Sequence, residues 1–104
     1  IGYDTINIKV YKGPNIYVPN AFTPNGDKTN DIFKPVMPGI KQLMYFSVYN
    51  RWGQLVYQTS IQGQGWNGML NGKAVPAGIY IWTLSAIDYN NKPWKKNGSV
   101  MVIR

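Results

Sequence analysis

Asp4, Asp27, Asp31 and Asp88 are the only side-chain carboxylates in this chain, which has no Glu, His or Cys. Asp27 and Asp31 lie close together in the stretch Asn20-Ala21-Phe22-Thr23-Pro24-Asn25-Gly26-Asp27-Lys28-Thr29-Asn30-Asp31. Hydrolysis or group transfer needs a nucleophile beside a base, or two carboxylates held across a cleft. Two acids on one loop do not flank a scissile bond, and no Ser/His or Cys/His pair can form, so the inventory predicts a chain that is not an enzyme. What the loop can offer is oxygen. Asn25, Asp27, Asn30 and Asp31 carry carboxylate and amide oxygens suited to a hard cation such as calcium, with Gly26 allowing the bend. The spacing is not that of an EF-hand, because no bidentate Glu follows and Lys28 sets a positive charge among the ligands. The same side chains can instead accept backbone N–H bonds as Asx-turns and fasten the loop without metal. Composition favours this structural use, and with it a domain that needs no cofactor.

The other chemistry available is binding. Eleven Lys and Arg against the four acids give a net charge of +7. Lys9, Lys12, Lys28, Lys34, Lys41, Lys73 and Lys92 are spread along the chain and only Lys95 and Lys96 adjoin, which predicts a solvated surface and no nucleic-acid site. Trp52, Trp66 and Trp94, if exposed, would stack on pyranose faces, as in a carbohydrate-binding or adhesive module; each could equally cap the core from a turn. No window is apolar enough for a membrane span, so direct membrane insertion is not expected. The absence of Cys excludes disulfides and thiol chemistry but leaves the compartment open.

These residues need elements to position them. Residues 5–11 alternate Ile6, Ile8 and Val10 with Asn7 and Lys9, a strand with one buried face, before Gly13-Pro14 stops it. That dipeptide resembles a linker, so residues 1–13 read as the end of a preceding domain or a linker strand and 14–104 as the domain proper, the end of a longer protein. A second short apolar run covers 16–18. Residues 40–52 lack Gly and Pro. Ile40, Leu43, Met44 and Val48 there fit a helical spacing, but Met44, Phe46 and Val48 alternate, and the aromatic and β-branched content predicts a strand. Asn50-Arg51-Trp52-Gly53 has Asn first and Gly fourth, as in a type I turn, and Leu55-Val56-Tyr57 follows, which reads as a β-hairpin. Turn dipeptides mark 63–76. Residues 79–87 are apolar on both faces, as in a central strand covered on both sides. A turn at 88–93 leads to a last strand from Trp94 and Val100 to Ile103. Short strands between regular turn signals predict an all-β sandwich.

Five spaced motifs in order carry a family resemblance. They are Val18-Pro19-Asn20-Ala21-Phe22-Thr23-Pro24-Asn25-Gly26-Asp27 with Asn30-Asp31, then Tyr49-Asn50-Arg51-Trp52-Gly53, Gly65-Trp66-Asn67-Gly68, Pro76-Ala77-Gly78-Ile79-Tyr80, and Val102-Ile103-Arg104. From about Pro14 to Arg104 the chain resembles the gliding motility-associated C-terminal domain, the type B sorting signal of the Bacteroidota type IX secretion system. The resemblance implies an Ig-like antiparallel β-sandwich of about seven strands. It implies a monomeric, non-catalytic module that directs its parent from the periplasm through the outer-membrane translocon, to be secreted or held at the cell surface. Its partners would be the translocon, shuttle and attachment components, and an outer-membrane protein of the SprF/PorP type. The family's marked positions fall on Asn25, Gly26, Asp27, Asn30 and Asp31 in the loop and on Asn50, Arg51, Trp52 and Gly53 in the hairpin, with Trp66 and Arg104 in the later motifs. Arg51 could bridge carbonyls or Asp31 within the fold, or project as a fork toward a partner's carboxylates. Lys28 and Asn67 stand where the family usually has Gly and Asp, which shifts both motifs toward a structural role.

Overall fold

In the computed structural model, which describes residues 14–24 and 31–104, the stretch 40–57 folds as a hairpin. The strand expected over 5–11, the residues 1–13 before the expected boundary and the loop residues 25–30 lie outside the described residues. Strands β1 (Ala21–Phe22), β2 (Ile40–Tyr49), β3 (Leu55–Thr59), β4 (Met69–Leu70), β5 (Lys73–Ala74), β6 (Gly78–Asp88) and β7 (Pro93–Val102) form, with no helix among the described residues. The all-β architecture is as expected.

Strand β2 explains why its sequence reads two ways. Ile40, Leu43 and Phe46 are all buried at a spacing of three, which mimics a helix. The register against β6 shifts between Ile40 and Gln42 and again between Leu43 and Tyr45. Each irregularity adds a residue to the strand and turns the next apolar side chain back to the core, so a strand buries positions that strict alternation would expose.

The main sheet has the order β1-β7-β6-β2-β3. Its neighbours are antiparallel except at the edge, where Ala21 lies opposite Met101 and Phe22 opposite Val102 in a parallel pair. That departs from the wholly antiparallel sandwich expected. The chain reaches β7 from β1 after crossing the whole domain, and a long crossover permits parallel pairing where a tight hairpin cannot. The second layer is less regular. The pair β4-β5 and the bridges Tyr17–Val36 and Phe33–Trp66 are its β-structure, so the run 16–18 supplies one bridge, not a strand.

Between the layers runs a chain of rings. Phe22 lies 5.5 Å from both Phe33 and Trp66, Phe33 is 5.5 Å from Phe46, and Trp66 meets Tyr80 edge-on at 5.4 Å. Phe46 continues to Trp82 and Tyr57. Gly65 makes the close crossing at Phe33 possible: a Cβ there would stand 2.6 Å from Ile32 and Lys34 side-chain atoms and 2.7 Å from the Phe33 carbonyl.

Strand β6 is central, between β2 and β7, yet its outer face is not covered along its whole length. Ile79 and Ile81 are 44% and 41% exposed, while Ser85, opposite Tyr45, is buried. The expectation of burial on both sides is corrected here: the outer face is open at Ile79 and Ile81 and covered further along the strand at Ser85.

The β6-β7 turn is built on Asp88. Its Oδ1 accepts from the Asn90 and Lys92 amides at 2.8 and 3.0 Å, and its Oδ2 accepts from the Trp94 indole at 3.0 Å. Asn91 takes a left-handed conformation, φ 62°, which Asn tolerates. Donation by the Lys92 amide, then by the Trp94 indole, holds the carboxyl below its ordinary pKa against the opposing effect of burial. A depressed carboxyl contributes stability that is present above its unfolded pKa and lost as pH falls through the folded one. The melting temperature therefore falls on acidification below about pH 4. In Asp88→Asn it starts lower at neutral pH and shows less of that acid-dependent fall. Melting curves of both chains from pH 7 to 2 check this, and parallel curves below pH 4 would assign the acid response to another group.

Candidate functional site

The β2-β3 turn has the same construction as the Asp88 turn, with Asn50 in the leading position. The Asn50 side-chain oxygen accepts from the Trp52 and Gln54 amides at 3.0 and 2.9 Å, and its carbonyl accepts from the Gly53 amide at 2.9 Å. Gly53 has φ 83°, the left-handed residue that follows a type I turn in a three-residue hairpin loop. With both turn ends fastened, the two central residues project outward on a short, rigid base. Trp52 is 77% exposed, and the Arg51 guanidinium lies over its ring at 4.6 Å from the centroid. A cation–aromatic pair at such an exposed site is worth about 0.5–1 kcal/mol. It orients both groups without burying either. Of the roles expected for Arg51, bridging carbonyls falls to the other arginine.

Arg104 is that bridge. Its Nε donates to the Val75 carbonyl at 3.0 Å, Nη2 to Gly68 at 2.9 Å and Nη1 to Pro24 at 3.3 Å. The loop at Pro24 and both ends of the 68–75 hairpin, closed by the Val75 amide on the Gly68 carbonyl at 3.0 Å, meet on one guanidinium, whose planar fork suits several carbonyls at once. Gly68, at φ 78°, leaves room for this approach: a Cβ would lie 2.8 Å from the Pro24 ring and 3.3 Å from Arg104 Nη2.

Between the 50–54 turn and residues 75–80 lies a cleft of about 330 Å³. Arg51, Trp52 and Gln54 border it on one side and Pro76, Ala77 and Gly78 on the other, with the buried Val56, Val75 and Tyr80 lining its depth. Tyr80 is held by donating its hydroxyl to the Pro76 carbonyl at 2.8 Å. Burial pushes the Tyr80 phenol above its ordinary pKa, while the charges of Arg104, bonded to the lining residue Val75, and of Arg51 at the rim pull it back. Among the described residues the lining contains no acid.

The residues singled out in the sequence thus separate into groups. Asn50, Arg51, Trp52 and Gly53 form the exposed turn. Trp66, at 1% exposure, is a core residue whose indole donates to the Met69 carbonyl at 2.9 Å, so its ring offers no contact surface. Trp94 packs half-buried against the core and Trp82 is buried, so the described tryptophans present one exposed ring and no platform of several for sugars. Asn25, Gly26, Asp27 and Asn30 lie outside the described residues, and Asp31 is half-buried. Among the described residues no group of three or more acidic, His or Cys side chains could hold a metal. The sequence places a turn at 88–93, but its reading gives Asp88 no part in building it, although Asp88-Tyr89-Asn90-Asn91 repeats the logic of Asn50-Arg51-Trp52-Gly53. Sequence reasoning also passed over Val75 and Tyr80 as lining.

Comparison with curated proteins returns no match. The model of the CHU_C type IX secretion signal domain matches residues 16–102, most of the chain and the span of all the internal motifs, and the protein belongs to this family of secretion signal domains.

Proposed function

We propose that this domain is a folded, non-catalytic recognition module that routes its parent from the periplasm through the type IX translocon to the outside or the cell surface. As a type IX secretion signal domain it works with the type IX machinery and marks its parent for export. The finer reading adds the direct partners: the translocon, its shuttle and attachment components, and an outer-membrane protein of the SprF/PorP type. The observation that carries it is Arg104, itself in the last motif, which joins Pro24 and Gly68 from two other motifs and Val75 beside a further one on one side chain. Motifs that depend on each other through the fold support recognition of a surface, not of a short linear tag. No cofactor is part of this reading.

A periplasm-targeted fluorescent reporter carrying residues 1–104 at its C-terminus tests it. The reporter appears outside a type IX-competent host and stays inside the same host lacking the translocon. Retention in both hosts, with the domain folded and a matched outer-membrane partner present, overturns the reading.

A further inference from the structure

We propose that the cleft beside the 50–54 turn is the recognition surface, and that its occupant is a partner segment that seats an apolar or aromatic side chain against Val56, Val75 and Tyr80 and a carboxylate on Arg51. The inference rests on the sorting reading above and names the face and the chemistry that it leaves open.

Four observations converge on it. The first is preorganisation: hydrogen bonds to Asn50 and the left-handed Gly53 hold the turn, so little ordering remains to oppose binding there. The second is size. At about 330 Å³ the cleft is at the lower end of small-ligand pockets, room for one large side chain and its neighbours. The third is charge: Arg51 sits at the rim of a cleft whose lining, among the described residues, includes no acid, on a chain of net charge +7, which complements a carboxylate. The fourth is continuity. Ile79 lines the cleft and is exposed together with Leu55, Ile81 and Met101 on the outer face, so a segment leaving the cleft continues over apolar surface. Trp52 and Arg51 are also residue types enriched where proteins bind each other most tightly. A sugar fits less well, because the guanidinium already covers one face of the one exposed Trp ring.

The test is the same reporter with residues 1–104 carrying Arg51→Glu, Arg51→Lys, Trp52→Ala or, as a control at the far end of the sheet, the 70% exposed Tyr89→Ala. Exported reporter falls at least tenfold in Arg51→Glu and Trp52→Ala, falls less in Arg51→Lys, which keeps the charge but not the fork, and is unchanged in Tyr89→Ala. Melting of the purified variants stays within a few degrees of the parent. Should Arg51→Glu prove unstable, Trp52→Ala decides. Translocon-dependent export of the parent with undiminished export of Arg51→Glu and Trp52→Ala overturns the cleft and leaves the sorting reading standing. Failure of the parent itself to leave the cell overturns both. Undiminished export together with glycan binding that is lost in Trp52→Ala replaces the proposed occupant with a sugar.

Discussion

Trp66→Ala melts on the order of 20 °C below the parent chain, or does not fold. Truncating a fully buried aromatic residue to Ala destabilises by about 3–5 kcal/mol, and in a domain of this size each kcal/mol moves the melting temperature by roughly 4–8 °C. Trp66 sits at the upper part of that range for two reasons. Its ring joins Phe22 to Tyr80, so the cavity opens in the middle of the aromatic chain where neither neighbour can follow it inward. Its indole also satisfies the Met69 carbonyl, which loses its donor in the variant. Typical domain stability is about 5–15 kcal/mol, so the loss is a large fraction of the whole. Trp52→Ala is the matched control: its ring stands in solvent, and its effect stays within about 1 kcal/mol, the worth of its pair with Arg51. Calorimetry on the two variants separates them, and similar melting temperatures would sink the distinction drawn between a core and a surface tryptophan.

Arg104→Ala is the second large loss, about 1.5–3 kcal/mol. The variant removes three charge-assisted donors at once and takes from the Val75 carbonyl its guanidinium donor in a partly buried site, while the Gly68 carbonyl keeps the Val75 amide at 3.0 Å. The longer, exposed bond to Pro24 adds little. Arg104→Lys recovers less than half, since one ammonium cannot hold carbonyls that converge from three directions on a planar fork. Urea midpoints for the three chains measure this. A Lys variant as stable as the parent would mean that charge alone matters there and that the fork geometry does not.

Much of this was legible in the residues, for reasons that can be named. The hairpin through Asn50 was readable because its signals are local: alternating side chains, then an Asn that accepts from its own turn and a Gly that tolerates positive φ. The β2 pattern was ambiguous because bulges rewrite the period, and nothing within a strand announces its bulges. Trp52 and Trp66 could not be told apart, since each follows a polar or Gly turn signal and burial is decided by segments far away. The same holds for the two arginines. Arg51 looked suited to bridging carbonyls, but carbonyls are supplied by convergence of Pro24, Gly68 and Val75, and that convergence occurs at Arg104. Covering of β6 was overestimated because Ile79 and Ile81 show what a strand can bury, not whether anything lies above it.

The parallel pairing of Ala21 with Met101 spans a sequence separation of 80 residues (101 − 21). On the ribosome β1 emerges long before its partner exists, and the edge it occupies can be filled only when nearly the entire domain has been synthesised. Contacts of such long separation slow folding, because the loop entropy is lost before the pairing compensates for it. The nascent chain therefore lingers without its final edge, a state open to holding chaperones and to threading through a narrow channel before the fold closes.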